Sequence, residues 1–423
     1  MKWIETWYIS YALLGLSAAG LIPILLPLVI SQSGGAAEIG LVMAAFSLGG
    51  LTAPVWGGLA DRFRLHRQLL VAGLFGTALG AAAFPFTVFL FCRIVLALLS
   101  GIGLAAASTV ANLFIVEVHP ESEWDARIGW LQTFYGGGQV IGLVLAGFIG
   151  QSRPEFGLWL AGGIGVAAII PAMIGIGAPQ EPGVLLQRRP VLSHPAHHAE
   201  WPAGSPQHLY HHLTMQGLRT LFAPFRTSFA VFLIAWLLSF SGSAAFFSFY
   251  PVLMQKVYGV LPGLSSTGYA LAAGLGLLLY APAGRWSARK GPLLILRNAL
   301  VLRIAAFIVL TLLAVASFSE RGWLAMLFFL FVVLAWSLLS VSSTALVAYL
   351  SPKNEGEGMG IFNAVTALSG VIGAVLGGWA ADQWGYAAIP VMGIIGVGAG
   401  SLVLIATRIN SNPVIQERKE VHQ

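Results

Sequence analysis

Charged side chains are scarce in this chain, and the few that fall inside apolar stretches hold most of its capacity for chemistry. Arg93 lies in the apolar stretch 87–112 and Arg303 in 292–316. A guanidinium within hydrocarbon costs roughly 2.5–3.5 kcal/mol on insertion scales, so such a residue must face a protein interior or water, or snorkel to the interface. Arg93, about six residues from the nearer boundary, is open to both readings. Arg303 is deeper, and is expected to be a buried partner for carbonyls or an outward snorkel. A second cluster, Asp61, Arg62, Arg64 and Arg67, sits at the end of an apolar run. There a carboxylate can accept charge-assisted hydrogen bonds from arginines or a helix N-terminus. A third feature is the paired spacing His194-Pro195-Ala196-His197-His198 and His208-Leu209-Tyr210-His211-His212. Imidazoles at i, i+3 and i+4 could bind Zn, Ni or Cu if a short helix forms, but in a Pro-rich polar segment they are more commonly incidental. No metal site is assigned. H-E-x-x-H, G-x-S-x-G and a Gly-rich phosphate loop after a strand are all absent, so no catalytic machinery and no cofactor are expected. The single cysteine, Cys92, excludes an intramolecular disulfide and a multi-cysteine metal site.

The elements that must position these residues follow from composition. Of 423 residues, 57% are hydrophobic and 9% charged, and the mean hydropathy is +0.83. That is too few charges to coat a water-facing surface. Apolar runs long enough to cross about 30 Å of hydrocarbon recur along the chain. They predict twelve spans, near 7–31, 37–60, 68–85, 87–112, 127–150, 157–178, 227–255, 265–286, 292–316, 323–350, 358–381 and 387–407. The first (Tyr8 to Ile30) is too long for a signal-peptide core and is read as a retained helix. Placing both termini in the cytoplasm puts seventeen Lys and Arg inside and three outside, with Arg93 and Arg303 in spans, which satisfies the positive-inside rule. This bias accounts for the net charge of +6, so no nucleic-acid partner is expected. The polar, Pro-rich stretch 179–226 separates a first half, 1–178, from a second, 227–407, followed by a tail, 408–423. The halves echo each other. Gly142-Leu143-Val144-Leu145-Ala146-Gly147 parallels Gly373-Ala374-Val375-Leu376-Gly377-Gly378, and Gly57 to Arg62 parallels Gly284 to Gly291. The expected fold is an all-α membrane protein of two pseudo-symmetric six-helix bundles in the cell membrane, acting as a monomer.

The run Gly57-Gly58-Leu59-Ala60-Asp61-Arg62-Phe63-Arg64-Leu65-His66-Arg67 resembles the loop 2–3 signature of the major facilitator superfamily, G-x-L-A-D-R-x-G-R-R, and sits between spans 2 and 3 as that signature does. Arg64 stands at the second glycine, and in the repeat copy Ala288 replaces the aspartate. The resemblance implies a conformational latch of Gly57, Asp61, Arg62, Arg67 and Arg127, closing the cytoplasmic side near the start of span 11 in the outward-open state. It also implies a cavity ringed by spans 1, 4, 7 and 10. The polar and aromatic residues of these and neighbouring spans give a candidate substrate set of Arg93, Tyr11, Asn112, Gln139, Trp236, Tyr250, Trp336 and Asn363, each with an ordinary alternative as packing or interhelical glue.

No Asp or Glu falls in the middle of a span, so proton coupling through a midplane carboxylate is disfavoured and the two arginines tilt the cargo toward neutral or anionic. The expected function is alternating-access transport of a small organic solute, export somewhat favoured, with a proton or another coupling ion left open. A divalent-metal exporter using the His-rich stretch, a solute importer and a transporter-like receptor are the alternatives. Against the antiporter pattern G-x-x-x-G-P-x-x-G-G, Gly138 and Gly142 are present, but Leu143 occupies the proline position and Ala146 the first final glycine.

Overall fold

The computed structural model describes residues 4–63, 65–176, 227–316, 319–351 and 355–406. Twelve of its helices are long and apolar enough to cross a membrane: α1 (Tyr8–Ser33), α2 (Ala36–Ala60), α3 (His66–Phe86), α4 (Leu90–Val118), α5 (Ala126–Gly150), α6 (Pro154–Gly175), α7 (Ser228–Lys256), α8 (Pro262–Lys290), α9 (Pro292–Val315), α10 (Arg321–Leu350), α11 (Gly358–Trp384) and α12 (Ala388–Ala406). The chain is a multi-pass membrane protein. Large apolar side chains on its outer surface, such as Phe86, Phe91, Phe148, Leu278 and Leu312, are exposed because lipid is their solvent. The predicted interruption 179–226 and the tail 408–423 lie outside the described residues.

Local chemistry sets the breaks. Gly291 alone links α8 to α9. Its φ of 88° suits glycine, its N–H donates to the Ser287 carbonyl, and Pro292 opens the next helix. The predicted end of α4 at 112 falls short by six residues. Asn112 does not stop the helix because its amide donates to the Ser108 carbonyl at 2.8 Å, and beyond it Ile115 is buried against the N-terminal half. α1 holds a π-helical stretch, Gly15–Leu21, in which the Ile22 N–H donates to Ser17, five residues back. This wide turn lies just before Pro23, whose missing N–H and bulky ring oppose regular α-helix.

Helices α1–α6 and α7–α12 form two halves. Let the terminal end be the one at which α1 begins and α12 finishes, and the far end its opposite. The halves meet through α2 on α11, α5 on α8 and α1 on α7. At the far end the glycines of the sequence echo have matching roles. Gly142 packs on Gly20 of α1 and Gly373 on Ser241 of α7, each within its own half. Gly147 then meets Gly263 of α8, and Gly378 meets Gly40 of α2, each across the halves. A Cβ on Gly40 would lie 2.6 Å from the Ala374 carbonyl oxygen, and one on Gly147 2.8 Å from that of Gly263. Toward the terminal end the contrast is plain among the described residues: a Cβ on Gly129, Gly284 or Gly360 would meet nothing within 4 Å. Among the described residues, backbone contacts at Gly40–Gly378 and Gly147–Gly263 join the halves at the far end, and Gly129, Gly284 and Gly360 join them nowhere at the terminal end.

Candidate functional site

Between the halves lies a cavity of about 330 Å³. The N-terminal half contributes Pro23 of α1, Met43, Phe46 and Ser47 of α2, and Gln139 of α5. The C-terminal half contributes Phe240, Ala244, Phe247 and Ser248 of α7, a row from Tyr269 to Tyr280 on α8, Val333, Trp336 and Ser337 of α10, and Gly370 of α11. The wall is apolar and aromatic, with one amide, a few hydroxyls and two phenols, and no carboxylate. Such a lining encloses an organic solute and orients it with few polar groups.

The structure brings only part of the predicted substrate set to this cavity. Gln139 and Trp336 line it. Trp236 is packed behind the wall: its indole N–H donates to Thr366 Oγ1 at 2.8 Å and its ring stacks on Phe240, a lining residue, at 5.6 Å. Tyr250 also lies one layer back, fully buried, with its hydroxyl donating to the Ser265 carbonyl at 2.7 Å and its ring 4.0 Å from Phe329. Tyr11 and Asn112 belong to a separate cluster in the N-terminal half, where Tyr11 packs on Tyr135 and Gln132 donates to the Asn112 side-chain oxygen at 3.4 Å. Asn363 is exposed.

Arg93 lies away from the cavity and ties the far end together. Its Nε donates to the Thr87 carbonyl at 3.0 Å and an Nη to Ser33 Oγ at 3.1 Å, and it stands 3.9 Å from the Glu38 carboxylate and 5.7 Å from the Phe84 ring. With four fixed neighbours and 5% exposure it acts as a brace and does not reach into the aromatic chamber. Arg93→Gln is therefore expected to lower the melting temperature of the purified protein, by the equivalent of about 1.5–3 kcal/mol for a lost charge-assisted hydrogen bond, with no change in preference for charged solutes. A cysteine at 93 whose reactivity toward aqueous thiol reagents changed with solute would return it to the site.

Of the latch residues, Gly57 has room to spare, a Cβ there meeting only Thr109 at 3.6 Å. The end of α2, residues 53–63, packs chiefly on α3 and α4 of its own half. Arg62 is exposed, stacked 5.3 Å from the Phe63 ring, and Arg67 is half-buried. The side chain of Asp61 lies outside the described residues. Arg127 is buried and engages Glu5, ahead of α1, and Glu123 at 2.9 Å. Glu5 also accepts from the Trp7 indole at 2.7 Å and lies 2.9 Å from His119 Nε2. Burial lowers the His119 pKa, and the pull of Glu5 in the opposite sense only partly offsets it. His66, inside the signature run, pairs with Glu117 at 3.1 Å and so pins the loop to the end of α4.

Sequence reasoning missed Phe46, Phe247 and Tyr280; Phe246, next to a lining residue, packs into the core against Phe307. The signal that could have found them is helical phase. Lining positions 240, 244, 247 and 248 on α7, and 269, 273, 276, 277 and 280 on α8, each follow one face of a 3.6-residue period. In helices apolar on every side, hydropathy does not mark that face.

A sequence match to the Major Facilitator Superfamily covers residues 7–355. The chain belongs to this superfamily. It is 32% identical over 114 residues to the L-fucose-proton symporter of Escherichia coli (strain K12), 25% of each chain, and 28% identical over 153 residues to the class B tetracycline resistance protein of Escherichia coli, 36% of this chain and 38% of that one. The chain thus spans about a quarter of the length of the first of these relatives and under two fifths of the second. The crystal structure of the nucleoside transporter NupG superposes with a TM-score of 0.72 at 12% identity, covering 95% of this chain and 96% of that one, and so shares the fold.

Proposed function

We propose that this major facilitator carries a small organic solute, neutral or anionic and amphiphilic, through the central cavity by alternating access. The observation that carries the reading is a chamber shared by both halves and bounded at one end by the Gly40–Gly378 and Gly147–Gly263 contacts. With the terminal end in the cytoplasm, as the charge bias favours, this conformation faces inward. Gln139, Trp336, Phe247 and Tyr269 are the solute contacts, and Asp61, Arg62, Arg67 and Arg127 form the latch that holds the cytoplasmic ends together when the cavity faces outward. Export is the favoured direction, and the similarity to a tetracycline resistance protein supports it; the similarity to a sugar symporter supports import.

The test begins with a thermal-shift screen of the purified protein against a solute library, because a ligand of the folded state raises stability by mass action. Hits are then assayed for counterflow in proteoliposomes. Exchange of labelled for unlabelled solute is expected; binding without exchange would indicate a receptor and overturn the carrier reading. Asp61→Asn is expected to slow counterflow several-fold with insertion and expression unchanged, and wild-type rates would remove Asp61 from the latch.

A further inference from the structure

Arg303 is used by nothing described so far, yet it is the most deeply buried charge among the described residues, 1% exposed at the middle of α9. Its Nη groups donate to Ser243 Oγ and to the Val332 carbonyl, both at 3.0 Å, while its Nε–H has no partner. Both acceptors are neutral. The ion pairs of the described residues do not include Arg303. Nor does the sequence offer a counter-charge nearby: the acids between 227 and 406 are Glu320, Glu355, Glu357 and Asp382, all at helix ends. Arginine stays protonated in proteins, and a buried ion without a counter-ion is costly. The guanidinium carbon stands 5.9 Å from the ring centres of both Phe247 and Trp336, and those rings line the cavity. One aromatic layer separates an uncompensated cation from the solute chamber. Cation–π contact with the two rings offsets part of its charge and leaves the rest to act across the wall.

We propose that Arg303 holds the cavity at a positive potential through the Phe247–Trp336 wall and so selects planar organic monoanions, whose charge supplies the missing counter-ion, over cationic solutes of similar shape. Its role as cargo selector rests on the carrier reading above; the potential itself does not. A unit charge about 8 Å away at an effective dielectric of about 20 changes an equilibrium by a factor of about thirty, so the effect is measurable.

The test reads the potential without a known cargo. In a Cys92→Ala background, Ala244→Cys places a thiol in the cavity wall beside Ser243, and Gln132→Cys places one in the separate cluster of the other half. Each is reacted with sulfonatoethyl and trimethylammonioethyl methanethiosulfonates, which differ in charge and little in size. At 244 the anionic-to-cationic rate ratio is expected to fall at least about tenfold in Arg303→Met and to be retained in Arg303→Lys, while the ratio at 132 stays constant. An unchanged ratio at 244, or a thiol there that neither reagent reaches, overturns the proposal. Should Arg303→Met not fold, Arg303→Gln takes its place: the ratio at 244 is expected to fall in the same way, and an unchanged ratio there overturns the proposal. Failed counterflow with the ratio change intact would strike the carrier reading alone.

Discussion

Gly40→Leu is expected to reduce counterflow at least about tenfold and to open the far end of the protein to aqueous reagents. The α2–α11 contact runs through bare backbone: a Cβ at 40 would sit 2.6 Å from the Ala374 carbonyl oxygen and 2.9 Å from Gly378 Cα. None of these atoms belongs to a flexible side chain, so the helices must part. Overpacking of a tight contact costs roughly 1–3 kcal/mol, and each 1.4 kcal/mol is a tenfold shift between two conformations. On the carrier reading the clash is confined to the state closed at the far end, so the variant is expected to fold and accumulate in the opposite state. Cysteine accessibility reads this directly, with labelling rising at far-end positions facing the gap and falling at cavity positions reached from the terminal end. Gly378→Leu should give the same phenotype, and the double variant little more, since both strain one contact. Normal counterflow by Gly40→Leu would show that closure at this contact is not part of the cycle.

Trp336→Ala is expected to weaken solute binding at least about tenfold, read as the loss of ligand-induced thermal stabilisation for the best hit of the screen. The indole is the largest side chain of the cavity wall and touches Phe240 at 5.5 Å, Trp236 at 6.3 Å and Arg303 at 5.9 Å. Removing it takes away stacking surface and also part of the layer that screens Arg303 from water. A Trp ring offers roughly 150–250 Å² of contact, so its loss outweighs that of any single hydroxyl in the lining. Trp336→Phe should recover most of the affinity if, as proposed, the solute meets the flat apolar face of the ring. Unaltered binding in Trp336→Ala would place the solute elsewhere.

These variants differ in how visible their targets are in sequence. The twelve spans, the two halves and the family follow from one-dimensional features: bilayer thickness sets the length of an apolar run, and the loop between α2 and α3 carries a contiguous signature. The glycine echo of α5 and α11 is likewise contiguous, although only packing shows that its two ends do different work, one within a half and one between halves. Gln139 and Trp336 stood out as an amide and an indole in apolar helices. Tyr11, Asn112, Trp236, Tyr250 and Asn363 stood out equally and lie behind the wall, in another cluster or at an exposed surface, because in a membrane helix polarity marks a hydrogen-bond need that a neighbouring carbonyl can meet as well as a solute can.

The two intramembrane arginines draw the line most sharply. Composition alone dictated only that neither guanidinium could rest unaided in hydrocarbon, and left a protein interior, water and the membrane interface all open. Which of these each found was a matter of three dimensions. Arg93 meets Ser33, Glu38 and Thr87 from three different segments and becomes a brace, whereas Arg303 meets two neutral acceptors and the backs of two cavity rings and is left short of a negative charge. Chain order carries hydropathy, length and motif. The facing of one helix toward another, on which counter-charge and cavity lining depend, arises only when the helices pack.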